Sequence, residues 1–241
     1  MVVNTDTTKS FWEHLSDLKP LVLKIVMVWV VITCFTFFFS SQLFALVTSP
    51  LNGQVLKSLS PTEPLTILLK IHFFAGFILS IPFILVILWN YLSVIFSAKE
   101  KRFIIAYTFS TLVLVLIGSV YAYFSLIPAS LKILMSFAPK GLEVDITATE
   151  YLNFFLSLLL ILILVFQTPI ATFGIIYSGI LTSTAYYKVR KEVYFSIVVI
   201  MAILTPTPDI FTLILIVLPI LVLLEIAVFL AGSKYKKPDL P

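Results

Sequence analysis

Long apolar runs alternate with short polar intervals along the whole chain. Residues 21–39, 71–96, 103–124, 151–176 and 210–231 are almost unbroken Leu, Ile, Val and Phe, and residues 193–205 form a shorter run of the same kind. A hydrocarbon core of about 30 Å takes about 20 helical residues at 1.5 Å each. Five runs meet that length, and the sixth would reach only about 20 Å. The pattern predicts an all-α membrane protein: six transmembrane helices in a bent, concave bundle, both termini cytoplasmic, with helices five and six short. The whole chain, residues 1–241, reads as one integral domain. Residues 1–20 form a cytoplasmic interfacial helix, 21–231 the bundle and 232–241 a cytoplasmic tail.

Within the first segment Phe11, Leu15 and Leu18 recur at helical spacing, so one face is apolar. Ser10 and Glu13 suit a capping box, and the helix is expected to end near Pro20. The first segment is polar and the first apolar run long enough to stay as an anchor, so no removable signal peptide is expected. Residues 40–70 contain Pro50, Asn52-Gly53, Pro61 and Pro64 and read as a loop. Residues 125–150 read as a second loop whose first part, 128–137, is a short amphipathic helix. Pro82, Pro169 and Pro219 are expected to bend their spans. Gln167-Thr168-Pro169 interrupts the fourth span, and Pro206-Thr207-Pro208-Asp209 turns between the fifth and the sixth.

Composition agrees: 60% of the 241 residues are hydrophobic and 12% charged, against about 25% charged in soluble domains. Twelve of the sixteen bases lie on the side of the termini, and Lys57, Lys70, Lys132 and Lys140 lie on the other. Basic loops stay cytoplasmic, which places both termini there. The single cysteine, Cys34, excludes an intrachain disulfide, and no Cys/His cluster suggests a metal. There is no Walker-type loop, nucleophile elbow or His-Glu-x-x-His, and His14 and His72 fall on opposite faces, so no enzyme, cofactor or nucleic-acid role is expected.

Four polar features remain. Asp17 and Glu100 are acids set among bases, beside His14 and Lys19 and beside Lys101 and Arg102, at one membrane face. Carboxylates beside apolar surface can grip guanidinium groups through bidentate hydrogen bonds, although each alone also fits an ordinary interfacial charge. Gln167 fits a helix–helix hydrogen bond within the bundle or a polar contact for a partner's helix. Glu225, the one acid deep in an apolar run, is a functional candidate because an ionisable group at that depth is costly. It could be protonated, paired or near water. Asp209 suits the cap of the sixth helix.

Six elements in chain order carry a family resemblance. His14-Leu15-Ser16-Asp17-Leu18-Lys19 resembles the His-Leu-x-Glu-Leu-Arg element of TatC, the core receptor of the twin-arginine protein translocase. Ser60-Pro61-Thr62-Glu63-Pro64 with Lys70 resembles its first far-side loop, and Pro82, Trp89 and Glu100-Lys101-Arg102 its second span and first cytoplasmic loop. Phe166-Gln167-Thr168-Pro169 resembles its Phe-Glu-x-Pro element, Leu204 to Asp209 its Thr-Pro-x-Asp turn, and Leu224-Glu225 its Tyr-Glu pair. This chain departs by Asp17 for glutamate, Lys19 for arginine, Lys101 where arginine is common, Gln167 for glutamate, and one extra residue in the Thr207-Pro208 turn.

The resemblance implies a non-enzymatic receptor in the cell inner (cytoplasmic) membrane, or alternatively an organellar one. It would bind twin-arginine signal peptides of folded cargo and assemble with single-span TatA/TatB-type partners as a homo- or hetero-oligomer, for export driven by the proton-motive force. By the resemblance, the signal-peptide site comprises Asp17 and Glu100 with His14, Leu15, Lys19, Lys101 and Arg102. Partner helices would meet Gln167, Thr205 and Pro206. Glu225, Asp209, Pro82 and Pro169 would be intramembrane polar or structural positions. A secondary transporter with a mid-membrane site around Gln167 and Glu225 is the alternative, although no internal repeat supports it.

Overall fold

The computed structural model describes residues 11–51, 53–92, 98–139, 145–207 and 209–234; the side chains of residues 11–18, 89, 92, 98–104, 233 and 234 lie outside the described part. Every regular element among them is helical. The first run is α1 (Phe11–Thr36), a 3-10 turn (Phe37–Phe39), α2 (Ser40–Thr48) and a second 3-10 turn (Ser49–Leu51). Then come α3 (Glu63–Leu92), α4 (Ala98–Tyr121), a π-helical turn (Ala122–Leu126) and α5 (Ile127–Ser136). The chain ends with α6 (Ala148–Val165), α7 (Thr168–Tyr177), α8 (Ser183–Lys188), α9 (Arg190–Leu204) and α10 (Ile210–Lys234).

Five helical runs are long and apolar enough to cross a membrane: Lys19–Leu51, Glu63–Leu88, Ile105–Ser136, Ala148–Tyr177 and Ile210–Gly232. With α9, whose 15 residues give only about 22 Å, they make the six apolar elements expected. Large apolar side chains are exposed along these runs, as lipid-facing helices require.

Four details depart from expectation. The first helix continues through Pro20; an apolar helix in lipid tolerates the lost hydrogen bond. Residues 40–51 are helical rather than loop. There the apolar stretch from Leu43 to Val47 outweighs the nearby breakers, and Ser40 and Thr48 donate their hydroxyls to the Phe37 and Phe44 carbonyls at 2.7 and 2.9 Å. Helix α3 starts at Glu63, earlier than residue 71, with Pro64 in its first turn, where a missing N–H costs nothing. Helix α10 is not short: its 25 residues run unbroken through Pro219.

The chain divides into two compact units, residues 1–43 with 69–104 and residues 44–68 with 105–241. In the smaller unit α1 lies close against α3. A Cβ on Gly76 would overlap Thr33, the Trp29 indole N–H donates to the Phe73 carbonyl at 3.3 Å, and the fully buried His72 bridges the hydroxyls of Thr36 and Ser40 at 3.0 and 2.9 Å. In the larger unit α10 packs along α7, around a core that includes Ile176, Tyr186, Leu224 and Val228. Tyrosine hydroxyls tie helices together by donating to main-chain carbonyls: Tyr121 to Leu215 at 2.8 Å and Tyr151 to Val47 at 2.6 Å. Buried Ser130 and Thr212 pair at 3.0 Å.

Candidate functional site

Asp17 lies in the second turn of α1, with His14 and Leu15 before it; Glu100, Lys101 and Arg102 open α4. Glu100 stands at a helix N-terminus, where the backbone dipoles favour an acid. The side chains of all six lie outside the described part. Lys19, whose side chain is described, is exposed.

The break in the fourth span builds an unusual polar position. Pro169 has no N–H, so it cannot bond the Val165 carbonyl four residues back; the Thr168 hydroxyl donates to that carbonyl instead, at 2.8 Å. The Gln167 N–H has moved to the Leu164 carbonyl, at 3.1 Å. The Ile163 carbonyl, left without its usual partner, accepts from the Gln167 side-chain amide at 3.2 Å. Gln167 thereby spends one of its two amide N–H donors on its own helix. Its carbonyl oxygen, Oε1, is buried without a partner among the described residues.

Glu225 is neither free nor isolated. Its Oε1 lies 2.9 Å from Arg190 Nε in an ion pair and accepts from the hydroxyls of Tyr186, at 3.2 Å, and Tyr194. Arg190 also donates to the Tyr194 hydroxyl at 2.9 Å and lies over that ring. The cluster joins α8, α9 and α10. Burial first, and the neighbouring Glu225 carboxylate second, push the Tyr186 hydroxyl well above its ordinary range, so it stays a donor.

Thr205 caps α9, its N–H donating to the Met201 carbonyl at 2.9 Å, and Pro206 follows it, exposed. Asp209 Oδ1 accepts from Thr212 N at 2.6 Å. Pro82 lies inside α3, and Pro169 opens α7.

Sequence reasoning missed Glu63. Its Oε2 accepts from Ser58 Oγ at 3.1 Å and Leu59 N at 2.6 Å, and its Oε1 accepts from the backbone N–H of Thr149 at 2.9 Å and from its hydroxyl. Lys57 and Asp145 form an exposed ion pair at 2.6 Å. Lys57 also exchanges backbone hydrogen bonds with Ile146 and Ala148 at 3.0 Å. The first and second loops are thus fastened to each other by the Glu63 carboxylate, by the Lys57–Asp145 pair and by backbone bonds from Lys57. The available signal was an acid between two prolines at the start of an apolar run.

Among the described residues, five helical runs long and apolar enough to span a bilayer make this a multi-pass membrane protein. Residues 13–219 match the family model described as TatC, Sec-independent protein translocase protein. A TatC of Aquifex aeolicus is 30% identical over 235 residues, covering 93% of this chain and 95% of its own. An uncharacterised tatC-like protein, ycf43, of Gracilaria tenuistipitata var. liui is 31% identical over 221 residues, covering 92% and 93%. A crystal structure of the twin arginine translocase receptor TatC in DDM superposes with a TM-score of 0.78 at 29% identity, covering 91% of this chain and 99% of that one. The chain belongs to the TatC family and is a component of Sec-independent protein translocation.

Proposed function

We propose that this chain is the receptor subunit of a twin-arginine translocase. Asp17 and Glu100 grip the paired arginines of a signal peptide, with His14, Leu15, Lys19, Lys101 and Arg102 shaping the surface around them. Asp17 replaces a glutamate and is one methylene shorter, so its arginine must come closer to α1. The reading is supported above all by the likeness to a solved twin arginine translocase receptor along nine-tenths of the chain, together with two acids placed among bases.

Partner recognition uses Gln167, with Thr205 and Pro206. A buried acceptor without a partner is costly in hydrocarbon. A donor from a single-span TatA/TatB-type helix would satisfy Gln167 Oε1 without disturbing the bond to Ile163. Gln167 can donate and accept at once, which an ionised glutamate could not. Both termini lie on the cytoplasmic side of the inner membrane in this reading, as the basic residues require, and transport draws on the proton-motive force. The transporter alternative is weakened, because Arg190 and two tyrosines already occupy Glu225.

The test is export in cells lacking their own TatC but retaining single-span partners. Expression of this chain should restore export of a folded reporter with a twin-arginine signal. Membrane insertion without any export would count against the proposal.

A further inference from the structure

A cavity of about 500 Å³ opens in the larger unit, between residues 50–54 and the helical stretch 124–135. Leu51, Phe124, Leu131 and Met135 give it an apolar wall, and Gln54, Ser125 and Lys132 bring polar groups to it. No acid lines it. Lys132 is exposed and has no ion-pair partner among the described residues. The Gln54 amide donates to the Met135 sulfur at 3.6 Å. Phe124 and Ser125 belong to the π-helical turn, a wider turn that re-aims side chains and recurs at functional sites.

Depth selects the ligand. The helical run Ile105–Ser136 has 32 residues, about 48 Å of helix against a hydrocarbon core of about 30 Å. The apolar run of residues 103–124 ends at Phe124, which sets the expected hydrocarbon edge there. Lys132 then lies at most about 12 Å further along, at the level of the headgroups. Phe124 is 70% exposed, so the apolar wall continues onto the lipid-facing surface.

We propose that this cavity binds an anionic phospholipid of the leaflet at the loop end of the protein. Its phosphate meets the ammonium of Lys132, the Ser125 hydroxyl and the Gln54 amide, and the root of an acyl chain lies on Leu51, Phe124, Leu131 and Met135. One ammonium and two neutral polar groups above an apolar wall suit a phosphate headgroup at this depth. A soluble anion would leave that wall unused, and a choline headgroup would bring a second cation beside Lys132.

Native mass spectrometry of the full-length protein, with phosphatidylglycerol or phosphatidylcholine added to the detergent, tests this. Phosphatidylglycerol should be retained in preference. Lys132→Glu should weaken its retention roughly tenfold, the scale of one charge-assisted hydrogen bond. Ala129→Trp, which fills the cavity without changing charge, should weaken it as well, while Lys191→Glu, at a base remote in sequence, should not. Soluble glycerol phosphate at equal concentration should not displace the lipid. Equal retention of both lipids, unchanged binding in both cavity variants, or displacement by glycerol phosphate would overturn the proposal. If Lys132→Glu does not fold, Lys132→Gln and Ala129→Trp decide the question by the same readout.

Discussion

Arg190 Nε lies 2.9 Å from Glu225 Oε1, so the acid that stands out in the last apolar helix is an ion-paired anchor for the start of α9. The two tyrosine hydroxyls complete the acceptor's neighbourhood. The Arg190 side chain is 46% exposed, so solvent screens the pair and removing either charge has a modest cost. Glu225→Leu and Arg190→Leu should each lower the melting temperature in detergent, and the double variant should lose less than the sum of the two. Additive losses in that double-mutant cycle would mean that the two residues act independently.

Helices α1 and α3 approach each other over Gly76. Any side chain there meets the backbone of Thr33 as well as its hydroxyl, and backbone cannot swing aside. Gly76→Val should destabilise the protein by about 1–3 kcal/mol, the usual range for overpacking. Thr33→Ala should not rescue it, because the Thr33 Cα remains in the way. Unfolding in graded denaturing detergent measures both, and a neutral Gly76→Val would show that the helices can separate freely.

Glu63 should hold two loops at once. Glu63→Ala removes the acceptor for Leu59 N, Thr149 N and two hydroxyls. Hydrogen exchange at Leu59 and Thr149 should accelerate together, while exchange in α7 and α10 stays unchanged. Acceleration at one loop alone would deny the carboxylate its bridging role.

Gln167→Leu should leave peptide binding intact and reduce crosslinking to a single-span partner. The loss expected of one interhelical hydrogen bond in a membrane is about 1 kcal/mol, close to fivefold in affinity. Gln167→Glu should recover partner contact to the extent that it is protonated. Undiminished crosslinking of Gln167→Leu would remove this residue from the interface.

The hydrophobic pattern made the number, type and rough place of the helices legible, because length against bilayer thickness is a strong constraint. The break at Gln167 was legible because Gln167 and Thr168 add polar side chains beside Pro169, whereas the prolines at 20, 82 and 219 stand inside unbroken helices. The length of α10 was not, since Pro206 and Pro219 suggest a shorter helix than the lipid environment allows. Residues 40–51 misled because Pro50 and Asn52-Gly53 were weighed over the apolar stretch before them. Glu225 was legible as an anomaly but its partner was not: Arg190 is 35 positions away, and only the packing of α9 on α10 brings them together. Glu63 looked like a loop acid because its partners, Ser58 and Thr149, are ordinary loop residues in sequence.

The most direct test of the receptor reading is the affinity of the purified protein, in lipid, for a twin-arginine signal peptide and its twin-lysine variant. Bidentate pairing to Asp17 and Glu100 predicts preference for arginine by roughly tenfold or more, the scale of one charge-assisted hydrogen bond. That preference should vanish in the Asp17→Ala/Glu100→Ala double variant while the protein stays folded. Equal, weak and salt-sensitive binding of both peptides, unchanged in the double variant, would contradict it.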